Sequence, residues 1–133
     1  MSRIETRESA VVFIYQSNFK DNSYEEQLEQ YLALNEELLE DEEYFKSITR
    51  GVIEKKEELD AKISEFLKRW TIARLPKVDV AILEVAAYEI MFVEDIPTSV
   101  SINEAVKLSK KYGTDDSSSY VNGVLSSLEK SLK

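Results

Sequence analysis

The sequence predicts an all-α protein, a single domain of two packed helical subdomains around a buried central helix. Three observations lead there. Only three glycines and two prolines occur in 133 residues, and no strand-like alternation persists. Apolar residues recur in stripes at helical spacing along most of the chain. The stretch Val78–Val93, VDVAILEVAAYEIMFV, is apolar on nearly every side and charged only at Asp79, Glu84 and Glu89. A segment of that kind is a buried helix or a membrane span. A span takes about 20 apolar residues with few or no charges, so this shorter, interrupted one is read as the core of a bundle. Ala81, Ala86 and Ala87 are small enough to let neighbouring helices approach. The length suits one domain able to bury its own core, with an N-terminal half of about residues 1–70 and a C-terminal half of about residues 76–133 meeting near Trp70–Asp79.

The elements follow in order. A first helix is expected over Ile4–Phe19, with an unbroken apolar run at Ala10–Tyr15. Arg3 and Arg7 lie one turn apart at its start, where cations oppose the helix dipole. Asn22-Ser23 offers a turn and an N-cap, after which Tyr24, Leu28, Tyr31, Leu32, Leu38 and Leu39 form one stripe. The acidic residues of that segment occupy the other, solvated face. Asp41 is placed to cap a third helix carrying Phe45, Ile48 and Val52; Gly51 either separates two helices or permits close packing. Leu59, Ile63, Phe66, Leu67 and Trp70 form the next stripe. Pro76 leads into the central helix, and Asp79 suits its N-terminal dipole. Glu94-Asp95-Ile96-Pro97 is a connection, since Pro97 disfavours helix at Ile96. Ser101-Ile102-Asn103-Glu104 has the form of a capping box. Its helix buries Ile102, Ala105, Val106 and Leu108, and Gly113 is placed to stop it in a left-handed conformation. Asp115 and Asp116 offer N-caps to a last helix with Tyr120, Val121, Val124, Leu125 and Leu128 on one face. Gly123 there predicts a close helix contact.

Composition removes several kinds of chemistry. There is no cysteine, hence no disulfide framework or thiolate metal site. There is no histidine, which takes away the commonest general base and transition-metal ligand. No Gly-rich phosphate loop, HExxH or EF-hand spacing is present. The reading is a non-enzyme with no cofactor and no assigned metal site, a purely carboxylate magnesium or calcium site being the one metal alternative these residues leave open. The N-terminus, MSRIETRES, lacks the apolar core of a signal peptide, which predicts a cytoplasmic protein with no membrane partner.

The net charge of −9 is unevenly spread. Ten acidic residues and no basic ones lie between Asp21 and Glu43, leaving 16 acidic against 17 basic residues elsewhere. A polyanion would be repelled by that stretch rather than by the whole molecule. Lys107, Lys110 and Lys111 are spaced i, i+3, i+4 and fall on one helix face. Tyr120 follows Asp116 closely, and Tyr15 lies two turns beyond Arg7. Cations near aromatic rings suit single-stranded RNA, whose bases stack while phosphates meet Lys or Arg. Core tyrosines and solvated lysines give the same pattern, so on these residues alone both readings stand.

Longer motifs say more. Trp70 with Arg74-Leu75, VDVAIL at Val78–Leu83, YEI at Tyr88–Ile90 and Ile96-Pro97 precede INEAVKLSKKYG at Ile102–Gly113 and YVNGVL at Tyr120–Leu125. With RESAVVFIY at Arg7–Tyr15, these resemble the NusB family of bacterial transcription antitermination factors, most strongly over the last half of the chain. The resemblance implies an all-α fold of two helical subdomains. It implies binding to the boxA element of nascent ribosomal RNA as a heterodimer with NusE, a small-subunit ribosomal protein, and entry into the RNA polymerase complex with other Nus factors. By position, Arg3, Arg7, Tyr15, Asp116 and Tyr120 match the family's RNA face, to which Lys107, Lys110 and Lys111 are added. The helix beginning at Asp79 matches part of the NusE surface, with Asp79 and Glu84 assigned to it.

Two departures bear on strength. Ile4 and Glu5 stand where the family often carries arginines, and Glu84 stands where arginine is common. Fewer phosphate contacts predict weaker binding and a shallower salt dependence, and hence reliance on NusE. The alternative reading is a protein-binding adaptor on the same fold without significant RNA binding of its own. The same fold also occurs fused to RNA methyltransferases, for which 133 residues leave no room unless the sequence is a fragment. Homodimers occur in the family, and the sequence leaves that choice open.

Overall fold

The computed structural model describes all 133 residues, and its regular structure is entirely helical. In order come α1 (Arg3–Ser17), α2 (Tyr24–Leu34), a 3-10 segment (Glu36–Asp41), α3 (Glu42–Glu54) and α4 (Lys56–Ser64). A short 3-10 turn (Ile72–Arg74) then leads to α5 (Lys77–Phe92), α6 (Thr98–Tyr112) and α7 (Ser117–Ser131). No helix is long and apolar enough to cross a membrane.

The start of α1 is fixed by a capping box, in which the Ser2 hydroxyl accepts from Glu5 N while the Glu5 carboxylate accepts from Ser2 N at 2.9 Å. The box expected at Ser101–Glu104 does not form. Those residues lie inside α6, which starts after Pro97, and the Ser101 side chain is buried against α5. Proline at the N-cap position sets the entry to both α5 and α6. Asp41 and Asp116 occupy N-cap positions of α3 and α7, but neither side chain bonds to the helix. The Asp41 carboxylate instead takes Arg3, at 2.8 Å from Nε.

Helix α5 is the centre of the molecule, packed against α1, α3, α4, α6 and α7. Its residues Val80–Ala87 are all buried, within one contiguous core of 26 apolar residues. The expected stripe positions Leu28, Leu38, Phe45, Ile48, Val52, Leu59, Ile63, Ala105, Leu108, Val121, Val124, Leu125 and Leu128 belong to that core. Ile102 and Val106 are only half-buried. Leu39 falls outside the stripe because the chain tightens to 3-10 geometry after Asn35, which turns it to solvent. Trp70 also lies outside, 54% exposed, because α4 ends at Ser64.

The three glycines divide by environment. Gly51 lies within α3, where a Cβ would collide with the Tyr88 ring, so it permits close packing. Gly123 does not mark a helix contact: a Cβ there would meet nothing within 4 Å. Gly113 is extended, with φ −96° and ψ −167°, and not left-handed. What it needs is space, since a Cβ would come within 2.7 Å of the Ser109 carbonyl oxygen and 2.5 Å of Ser117 Oγ. Gly113→Ala is therefore expected to cost about 1–3 kcal/mol through overpacking of the α6–α7 turn, read as a lowered urea midpoint at unchanged m-value.

Candidate nucleic-acid interface

The first turn of α5 meets α1, the end of α6 and the start of α7, and this junction carries Asp79, Tyr120, Tyr15 and Lys111 of the predicted site. Asp79 is fully buried, and its Oδ2 accepts from Ser117 Oγ at 2.8 Å and from the Tyr120 hydroxyl. Burial pushes the Asp79 carboxyl above its usual range, partly offset by the Ser117 bond. Ser117 in turn accepts from Thr114 N at 2.9 Å, tying the α6–α7 turn to the same carboxylate. Val78, the neighbour of Asp79, lines a cavity of about 330 Å³ with Val12, Tyr15 and Tyr112. Glu8 of α1 accepts from Lys111 Nζ at 2.6 Å and from the Tyr112 hydroxyl, holding α6 against α1. Those two bonds keep Glu8 below the usual carboxylate range although partial burial opposes them. Both predicted aromatic residues, Tyr15 and Tyr120, are half-buried, so neither is sealed in the core.

The cations are less free than their spacing suggests. Arg3 is bound to Asp41 and stacks over the Tyr44 ring at 4.0 Å. Lys107 pairs with Glu104 at 3.4 Å, and Lys111 with Glu8. Lys111 therefore faces α1, whereas Lys107 and Lys110 line a polar groove of about 590 Å³ with Asn103, Ser118, Ser119 and Asn122. Lys110, exposed and outside every ion pair, is the cation of this face most open to a phosphate. Asp116 is exposed in the adjoining turn.

Three predicted contact residues are corrected by burial. Arg7 is 4% exposed and spans Glu89, its Nε lying 3.1 Å from both carboxylate oxygens. It holds α1 to α5 and presents nothing to a ligand. Asp79 and Glu84, assigned to a partner surface, are 0% and 1% exposed. Asp79 acts through Tyr120 and Ser117, while Glu84 faces α4, where Lys56 Nζ donates to it at 2.7 Å. Position 84 is thus outside the expected RNA face, and a glutamate there removes no phosphate contact. Sequence reasoning missed Glu8, Tyr44, Glu89 and Tyr112. A lone carboxylate or tyrosine on a helix carries no signal of a partner many residues away.

Comparison with known proteins agrees with this architecture. Residues 4–130 match the model described as the NusB family. The chain is 43% identical over 128 residues to the transcription antitermination protein NusB of Clostridium acetobutylicum, covering 96% of this chain and 95% of that one. The solved structure of T. maritima NusB is similar at a TM-score of 0.86 and 34% identity, over 98% of this chain and 92% of that one. A crystal structure of the antitermination factors NusB and NusE in complex with dsRNA is similar at a TM-score of 0.83 and 26% identity, over 98% and 99%.

Proposed function

The chain belongs to the NusB family, and we propose that it acts as a transcription antitermination factor. In this reading it binds boxA of nascent ribosomal RNA as a heterodimer with NusE, then joins RNA polymerase with the other Nus factors in the bacterial cytoplasm. The observation that carries the reading is similarity over nearly the whole chain to antitermination proteins, one of them solved with NusE and RNA. The exposed lysine face and the two half-buried tyrosines support it by supplying the charge and rings that RNA binding uses. No site residue of this chain invites catalysis, and its part in the complex is recognition.

We assign RNA contact to Lys110, Lys107, Tyr120, Tyr15, Arg3 and Lys111, with Asp116 beside them. Arg3, Lys107 and Lys111 must exchange a carboxylate for a phosphate. An exchange of that kind gains less than filling a free site, so the protein alone is expected to bind RNA weakly. Fluorescence anisotropy of labelled boxA RNA, with and without NusE over a salt series, tests this. Tighter binding with NusE is expected; equal affinity would defeat the cooperative reading. Lys110→Glu should weaken RNA binding and flatten the dependence of log K on log salt by about one phosphate contact, a slope change of roughly 0.7. An unchanged slope would favour the adaptor reading for this face.

A further inference from the structure

The end of the α4–α5 connection, together with the first residue of α5, is the most basic part of an acidic molecule. Lys68, Arg69, Arg74 and Lys77 fall within ten residues that hold no carboxylate, and no other stretch of that length has as many cations without one. None of the four joins an ion pair, in contrast to Arg3, Arg7, Lys107 and Lys111. The segment also carries Trp70, 54% exposed although it is the chain's only tryptophan. Beside it lies a mainly apolar cleft of about 350 Å³ lined by Phe66, Trp70, Tyr120 and Gly123, with Lys68 and Arg69 also at its wall.

We propose that this cleft is a nucleobase site. A base of single-stranded RNA stacks on the aromatic wall shared by Trp70 and Tyr120, and the adjoining phosphates lie against Lys68 and Arg69. Three features select this occupant. The unpaired cations call for a polyanion in a chain of net charge −9. Tyr120 belongs both to this cleft and to the junction around Asp79, so RNA leaving that surface reaches the cleft directly. A cleft of about 350 Å³ is on the scale of a single planar ring, whereas an amphipathic helix is about 10 Å across. Gly123 keeps it open: it lines the cleft, and a Cβ added there would meet nothing within 4 Å, so a side chain at this position has room to enter it. The site rests on the RNA-binding reading and extends the RNA path toward α4.

Trp70 reports on its own site. Single-stranded RNA carrying boxA with flanking nucleotides is titrated into the full chain with NusE, following tryptophan emission and RNA anisotropy together. The Trp70→Phe variant gives the NusE background. Stacking should quench Trp70 emission in step with binding. Trp70→Ala should weaken binding about ten-fold, and Trp70→Phe less. Gly123→Leu should plug the cleft, abolish the quench and weaken binding about ten-fold, while leaving the melting temperature unchanged or raised, because glycine is a poor helix former. RNA that binds Gly123→Leu as tightly as the parent chain, with no quench in either, would overturn the cleft and leave the RNA reading intact. Absence of anisotropy change with the parent chain would overturn both. Quenching by poly-glutamate and not by RNA would instead identify an acidic protein as the occupant.

Discussion

Arg7→Ala is expected to destabilise the protein by about 3–5 kcal/mol, the range for removing one partner of a buried ion pair. The reason lies in what would be left behind. Glu89 is fully buried, and besides Arg7 it accepts only from Ser101 Oγ at 2.9 Å and from the Tyr44 hydroxyl. These donors come from α1, α6 and α3, so one carboxylate on α5 gathers three helices. Burial and the neighbouring Glu89 charge push the Tyr44 hydroxyl well above its ordinary pKa, so it stays a donor. Without the guanidinium the carboxylate must be protonated or hydrated, and either loosens the α1–α5 contact. Urea denaturation measures the loss. The double variant Arg7→Met with Glu89→Met should recover most of it, because no charge is then stranded. Where enough Arg7→Ala remains folded, its RNA affinity should keep the parent's salt slope, since Arg7 meets no phosphate. A reduced slope would return Arg7 to the binding surface.

This cluster also marks the limit of what sequence reasoning reaches. Helical stripes are local, so the core positions of α3 and α7 follow from spacing, and α5 from a run apolar on nearly every side. Helix ends were less legible, because a capping box is a short pattern that occurs by chance inside helices. Ser2 and Glu5 form one, while Ser101 and Glu104 have the letters but sit in the second turn of α6. Glycine is ambiguous in the same way. Gly113 is required by a neighbour's carbonyl and Gly51 by a ring from another helix, and neither needs an unusual φ. In the candidate site, spacing places Lys107 and Lys110 on one face, but Lys111 turns instead to Glu8 of α1. Arg7, Asp79 and Glu84 were misread because a charged residue is assumed to face water unless its partner is known. Those partners lie 82, 41 and 28 residues away, at Glu89, Tyr120 and Lys56. Trp70 shows the converse error, an aromatic residue assigned to a stripe whose helix had already ended.

Glu84→Gln is expected to stabilise the protein above pH 8 and to flatten its stability between about pH 4.5 and 8. Burial, then the neighbouring Asp60 carboxylate, pushes the Glu84 carboxyl up to about 8, with Lys56 opposing the rise. The native state therefore holds a proton that the unfolded chain has released from about pH 4.5 upward. With the unfolded state binding fewer protons, stability falls as pH rises through this window and levels off beyond it. A tenfold difference in proton affinity between the two states corresponds to about 1.4 kcal/mol, so the total effect is on the order of a few kcal/mol. Glutamine keeps the shape and an oxygen acceptor for Lys56 but has no proton to lose, and Lys56 retains Asp60 at 3.3 Å. Glu8, held below its usual value, acts with the opposite sign and only at more acid pH, so the two windows separate. Asp79 is raised and adds to the same fall from its own lower starting point. Chemical denaturation at pH 5, 7 and 9 distinguishes the contributions. Parent and variant curves that run parallel across that range would mean Glu84 is already ionised in the fold, its charge carried by the Lys56 ion pair.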